Sequence, residues 1–218
     1  MKVVILPGAG SAGLTWETVA ARLDASIHPL PDLPSVEEIA TSLLDELPDS
    51  PELVLVGASL GAMVALELTH RRPIAGLVLL AAGFGVTVSD EVLARFDDPE
   101  PNFLARMARG GVAEKTEAMI KARLLDFEAR GVDVLAHHLR TLAAYEPTAP
   151  SPAVPTVVVQ GELDRSVTLA DHVELARQCR GVLRPIAGIG HSAYLEAPDE
   201  VVRLTQQVIF EAEGAGHA

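Results

Sequence analysis

The chain is predicted to be an α/β protein: a mostly parallel sheet of about six strands, helices on both faces, and a small helical cap inserted into the sheet. Three observations carry this. Strand-like runs alternate with helical patterns along most of the length. The runs, such as Leu53-Val54-Leu55-Val56 and Val157-Val158-Val159, are continuously apolar, as strands covered on both faces must be. From about residue 86 to residue 150 strand patterning stops, and it resumes afterwards.

The elements follow in order. Residues 2–6 form the first strand, residues 14–24 a helix and residues 26–30 a short second strand. Residues 35–47 read as a helix, with Ser35 as N-cap and Glu37 and Glu38 in its first turn. Residues 52–56 are the third strand, followed by a helix over 60–71 that Pro73 terminates. Residues 76–81 are the fourth strand and 154–160 the fifth. A helix over 168–179, a sixth strand over 182–186 and a last helix over 198–212 complete the pattern. The interruption is rich in Ala, Leu, Arg and Glu, with helical periodicity over 114–130 and 132–145 and Gly131 between them. The expected organisation is a core of residues 1–85 and 151–218 with a helical cap at 86–150. The small, glycine-containing tail over 213–218 is expected to be mobile.

Gly57-Ala58-Ser59-Leu60-Gly61 lies between the third strand and the next helix. A Gly-x-Ser-x-Gly arises by chance in about one chain in fifteen of this length, but strand, sharp turn and helix around it mark a nucleophile elbow. A serine needs a base to take its proton, and the base needs an acid to orient it. Asp164 follows the fifth strand in Gly161-Glu162-Leu163-Asp164, and His191 follows the sixth in Gly188-Ile189-Gly190-His191. All three residues sit at carboxyl ends of strands, where open α/β sheets keep their sites. Glu162 and Asp171 are the rival acids, and Asp164 could instead be a turn or capping residue. His28, His70, His137, His138, His172 and His217 are less well placed to be the base.

With these residues placed, the chain resembles the α/β-hydrolase superfamily, in its single-domain, cofactor-free form. The resemblance runs through Ile5-Leu6-Pro7-Gly8-Ala9-Gly10 to Trp16, the elbow, Gly76–Ala82, Pro155–Asp164 and Gly190–Asp199. It implies an α/β-hydrolase fold whose usual first two strands, one of them antiparallel, are absent from this chain. It also implies that Ala9 and Leu60 supply the backbone N–H groups of an oxyanion hole. Pro7 stands where family members usually carry a histidine that supports the oxyanion loop. Residues 86–150 occupy the position of the family's cap, which would roof the serine and exclude water. Phe84, Phe103, Met107, His138 and Tyr145 are expected to line the substrate pocket, with Phe96, Met119 and Phe127 as further candidates, most of the set serving as core.

Composition narrows the function. The chain has 218 residues, 49% hydrophobic, and a mean hydropathy of +0.27, enough for one core of useful size. Its net charge of −13 repels phosphate backbones and anionic lipid, so nucleic-acid and membrane-surface roles are disfavoured. The same charge mildly disfavours strongly anionic substrates, although a local pocket can override net charge. Cys179 is the only cysteine, which excludes an internal disulfide and fits a reducing cytoplasm. The opening apolar run ends at Pro7, too short for a secretory signal, and no stretch approaches the roughly 20 apolar residues of a membrane span.

Three functions remain. The first is a serine hydrolase acting on a small or medium, neutral carboxylic ester, thioester or lactone, with no metal or cofactor and a small molecule as its only expected partner. The second keeps the fold for non-ester chemistry, such as carbon–carbon cleavage or a biosynthetic step. The third is a ligand-binding protein without turnover. A dinucleotide-binding role, suggested by Gly8-Ala9-Gly10-Ser11-Ala12-Gly13 with Asp32 downstream, leaves the serine, aspartate and histidine unexplained.

Overall fold

The computed structural model describes residues 1–84, 88–150 and 153–215. His217 and the expected junctions near residues 85 and 151 lie outside them. Six strands form one sheet: β1 (Lys2–Leu6), β2 (Ser26–Ile27), β3 (Leu53–Ala58), β4 (Gly76–Leu80), β5 (Thr156–Gly161) and β6 (Val182–Ile186). They are ordered β2-β1-β3-β4-β5-β6, and every pair is parallel.

The apolar runs are continuous because alternate residues serve two separate cores. Val4, Leu6, Leu55, Leu77 and Val158 pack on one face against α2 (Val36–Leu43), α3 (Leu60–Leu68) and α8 (Leu169–Gln178). Val3, Ile5, Val54, Val56, Val157 and Val159 pack on the other, against α1 (Glu17–Leu23) and α10 (Pro198–Ala215).

The differences from the expected boundaries have local causes. The helix expected over 14–24 begins as a 3-10 turn, Leu14–Trp16, before α1 starts. The second strand keeps only two residues, because Pro29 and Pro31 cannot donate to the ladder. The third runs two residues past its expected end, up to the serine itself.

Between β4 and β5 the chain forms α4 (Asp90–Ala94), α5 (Phe103–Gly110), α6 (Glu117–Glu128) and α7 (Val132–Ala144). The last two match the expected helices; α4 and α5 were not separately marked by the sequence. These helices hold a small core of their own around Phe96, Phe103, Phe127 and Leu135, in which the rings of Phe96 and Phe103 meet edge to face at 4.8 Å. Among the described residues no helix is long and apolar enough to cross a membrane.

Candidate active site

Ser59 stands between β3 and α3 with φ 52° and ψ −118°, a left-handed conformation that a non-glycine residue adopts only when its surroundings enforce it. The flanking glycines explain how the turn fits. A Cβ on Gly57 would run into the Gly61 carbonyl and the backbone of Ala62; one on Gly61 would run into the Leu6 and Pro7 carbonyls of the neighbouring strand end. The Ser59 amide is tied to the Leu80 carbonyl at 2.9 Å. The serine side chain forms no hydrogen bond among the described residues, and the residue lines an open cavity.

Asp164 and His191 are joined: His191 Nδ1 and Asp164 Oδ2 lie 2.8 Å apart. The Asp164 side chain is fully buried, whereas the imidazole keeps 19% exposure and lines the same cavity as Ser59. The Ser166 and Val167 amides donate to Asp164 Oδ1 at 2.7 and 3.2 Å, fixing the carboxylate. Burial pushes the Asp164 carboxyl upward in pKa. The His191 hydrogen bond, the attraction of a protonated His191 and the two amides together outweigh burial and hold it below its ordinary value. Of the rival acids, Glu162 is exposed, and Asp171 is spent on a capping box with Thr168 at the start of α8.

The amides of Ala9 and Leu60 make no hydrogen bond among the described residues. Leu60 opens α3, where unpaired N–H groups and the helix dipole favour negative charge. The loop carrying Ala9 is held from above by two side chains. Asp126 of α6 accepts from the Ala12 and Leu14 amides at 3.0 and 2.9 Å and from the Ser11 and Thr15 hydroxyls at 2.6 and 3.2 Å. His138 of α7 is fully buried; its Nδ1 accepts from the Gly10 amide at 3.1 Å, and its Nε2 faces the Pro31 carbonyl at 3.0 Å. Burial lowers the pKa of His138, more than the Pro31 carbonyl raises it, so the ring is held in the neutral form this pairing needs. A histidine does support this loop, but it comes from the helical segment instead of position 7.

The cavity measures about 480 Å³ and lies between the carboxyl edge of the sheet and α5, α6 and α7. Of the five residues read as substrate contacts, Met107 lines it; Phe127, from the further candidates, does so as well. The other four are placed elsewhere for definite reasons. Phe103 is turned into the core of the helical segment. Phe84 packs on the α3 side of the sheet. His138 braces the loop below it. Tyr145 is buried, with its hydroxyl donating to Glu67 Oε2 at 3.0 Å, and burial and Glu67 push its ionisation far upward. Phe96 and Met119 also lie outside the lining.

Arg123, Asp126, Arg165 and Tyr194 are among the lining residues that the sequence pattern does not single out. Arg123 had a signal, since it shares a helical stripe with Ile120, Leu124 and Phe127, all packed inward. Arg123 and Glu196 tie the helical segment to the loop of His191. Arg123 Nη1 donates to Tyr194 Oη at 3.1 Å and to Ser192 Oγ. The Glu196 carboxylate accepts from the amides of Ala113 and Gly190 at 2.6 and 3.0 Å.

The sequence model of the Alpha/beta hydrolase family matches residues 3–204. No curated protein gives a significant match. Among solved structures, a thermophilic esterase is 25% identical with a TM-score of 0.82, the match covering 97% of this chain and 90% of that one. An N-acyl homoserine lactone degrading enzyme is 23% identical with a TM-score of 0.77, over 95% and 92% of the two chains. The enol-lactonase from Burkholderia xenovorans LB400 is 17% identical with a TM-score of 0.82, over 96% and 92%.

Proposed function

Because the chain belongs to the alpha/beta hydrolase family, we propose that it is a serine hydrolase cleaving a small or medium carboxylic ester, or a chemically equivalent thioester or lactone. The observation that carries the reading is the Asp164–His191 hydrogen bond directed at a cavity that also holds Ser59 in its elbow. The likeness to a thermophilic esterase at 25% identity supports ester chemistry; the lactone enzymes, at lower identity, support the fold.

Ser59 Oγ attacks the carbonyl carbon while His191 Nε2 takes its proton. Negative charge gathers on the carbonyl oxygen, and the free amides of Ala9 and Leu60 hold it. Asp164 orients the imidazole and stabilises its charge; its lowered pKa keeps it ionised across the neutral range. The tetrahedral intermediate collapses, and the leaving alkoxide takes the proton from His191. Water then attacks the acyl-enzyme with His191 again as base, releasing the acid and restoring Ser59. Helices α5 to α7, as the cap, exclude bulk water and shape the acyl pocket.

We place the protein in the cytoplasm on the strength of its single cysteine. Cys179 is buried and its thiol is pushed up to about 12 by burial, so it fits a packed core position better than a redox or nucleophilic role.

The test is hydrolysis of p-nitrophenyl esters, from acetate to long acyl chains, by the wild type and by Ser59→Ala. Activity that falls by about 10³-fold or more in the variant supports the serine mechanism. Equal activity in both removes Ser59 from the chemistry. No activity on any ester points to the non-ester or binding alternatives.

A further inference from the structure

The cavity contains a buried cation with no carboxylate in a salt bridge to it among the described residues. Arg123 is 7% exposed and lines the same cavity as Ser59 and His191. A buried guanidinium is ordinarily matched by an acid, since an unpaired buried charge is costly. Among the described residues no carboxylate forms a salt bridge with it. Its partners are neutral: the Phe127 ring, whose centroid lies 5.1 Å from Cζ, the Ala108 carbonyl, accepting from Nε at 3.0 Å, and the hydroxyls of Ser192 and Tyr194, both at Nη1.

Nη2 makes no hydrogen bond and is not completely sealed from solvent. Gly111 makes the room: a Cβ there would collide with the guanidinium. The nearest acid along the helix, Asp126, lines the same cavity but is committed to the loop over residues 11–15.

Two more arginines line the cavity. Arg106 is paired with Glu100, and Arg165 has no ion-pair partner among the described residues. In a chain with a net charge of −13, the lining carries three arginines against the single carboxylate of Asp126. Of the three, Arg123 and Arg165 are the cations without an acidic partner among the described residues.

We propose that Arg123, with Arg165 at the rim, binds a carboxylate on the substrate, so that the preferred ester is a half-ester of a dicarboxylic acid or an ester whose alcohol part carries a carboxylate. This rests on the ester-hydrolase reading and replaces the neutral ester expected from the sequence with an anionic one. With Nε and Nη1 engaged, Nη2 is the free donor, and the guanidinium offers a carboxylate a charge-assisted hydrogen bond from that one nitrogen.

The experiment compares kcat/KM for mono-4-nitrophenyl glutarate with that for 4-nitrophenyl pentanoate, and for 4-acetoxybenzoate with that for phenyl acetate. The first pair places the carboxylate on the acyl side, the second on the alcohol side. The wild type should prefer the anionic member of at least one pair. In Arg123→Met the anionic-to-neutral ratio for that pair should fall by about 30-fold or more, chiefly through KM, with partial rescue in Arg123→Lys. A wild type with no anionic preference in either pair overturns the proposal. So does a variant in which both esters decline together, which would make Arg123 only a fastening for the His191 loop.

Two further arms keep the result decisive. Should Arg123→Met fail to fold, competitive inhibition of the wild type by glutarate, absent with glutaramide, supports the carboxylate site; equal inhibition by both, or none by either, overturns it. Should the wild type turn over no ester, the hydrolase reading fails separately. Calorimetric binding of glutarate to the wild type and not to Arg123→Met would then still support the anion site, and no binding, or binding to both, would overturn it.

Discussion

The sheet and the helical segment above it are held in place by different forces. The sheet is clamped between two apolar clusters whose strand residues are almost all fully buried, and its position owes little to polar side chains. The segment over 88–150 has only a small apolar core and meets the sheet edge through directed polar bonds: Asp126 and His138 on the loop of Ala9, Arg123 and Glu196 on the loop of His191. Apolar burial sets stability without specifying a fine position, whereas hydrogen bonds set geometry at small net energy. The sheet thus carries the fold, and the helices above it carry the alignment of the site.

Substitutions should separate the two. Leu55→Ala, in the fully buried centre of β3, should cost about 2–5 kcal/mol of stability, read from denaturant unfolding, while the folded fraction keeps its kcat. Asp126→Ala should lower kcat/KM by about 100-fold through the displaced loop of Ala9, an effect on rate that Leu55→Ala lacks. Equal behaviour of the two variants in both assays would erase the distinction.

Acid should act on both regions at once, because each buries a neutral histidine. Burial lowers the pKa of His138 above the sheet and of His172 in α8, in both cases as the leading cause. The unfolded chain then takes up protons near the ordinary value of 6.5 that the folded chain refuses. Their contribution to stability is therefore complete above that value and is lost as pH falls below it. The thermal midpoint should decline from about pH 7.5 to about pH 5.5, and a flat profile would contradict the assignment. Asp164 acts later and with the opposite protonation preference: its lowered pKa stabilises the fold above its ordinary value of 3.8 and is lost as pH falls past it.

The smallest effect should come from Tyr145→Phe. It removes one hydrogen bond to Glu67, which keeps Arg71 at 2.7 Å, and should lower stability by about 1 kcal/mol without changing KM. A rise in KM would place Tyr145 back among the substrate contacts.

The same division explains what could be read from the sequence. Unbroken apolar runs such as Leu53-Val54-Leu55-Val56 announce strands covered on both faces, and the strand ends placed Ser59, Asp164 and His191. The prolines that cut β2 to two residues, Pro29 and Pro31, are equally plain in the sequence. In the helical segment an inward polar residue looks like an outward one. Asp126 and Glu128 are two positions apart on α6; the first is buried against a distant loop and the second is exposed. Aromatic residues misled for a related reason: Phe103 and Tyr145 are large enough to be either core or lining, and only the packing of α4 to α7 decides.

The pairing of β4 with β5, in register from Leu77 opposite Thr156 to Leu80 opposite Val159, is closed across the whole helical segment. The entropy lost in closing such a loop grows only with the logarithm of its length, about 0.6 kcal/mol for each doubling. Residues can therefore be added to or removed from this stretch with little penalty to the sheet, so long as the few side chains that reach down keep their partners. The volume of the site can be revised by insertion and deletion in a way that the sheet beneath it could not survive.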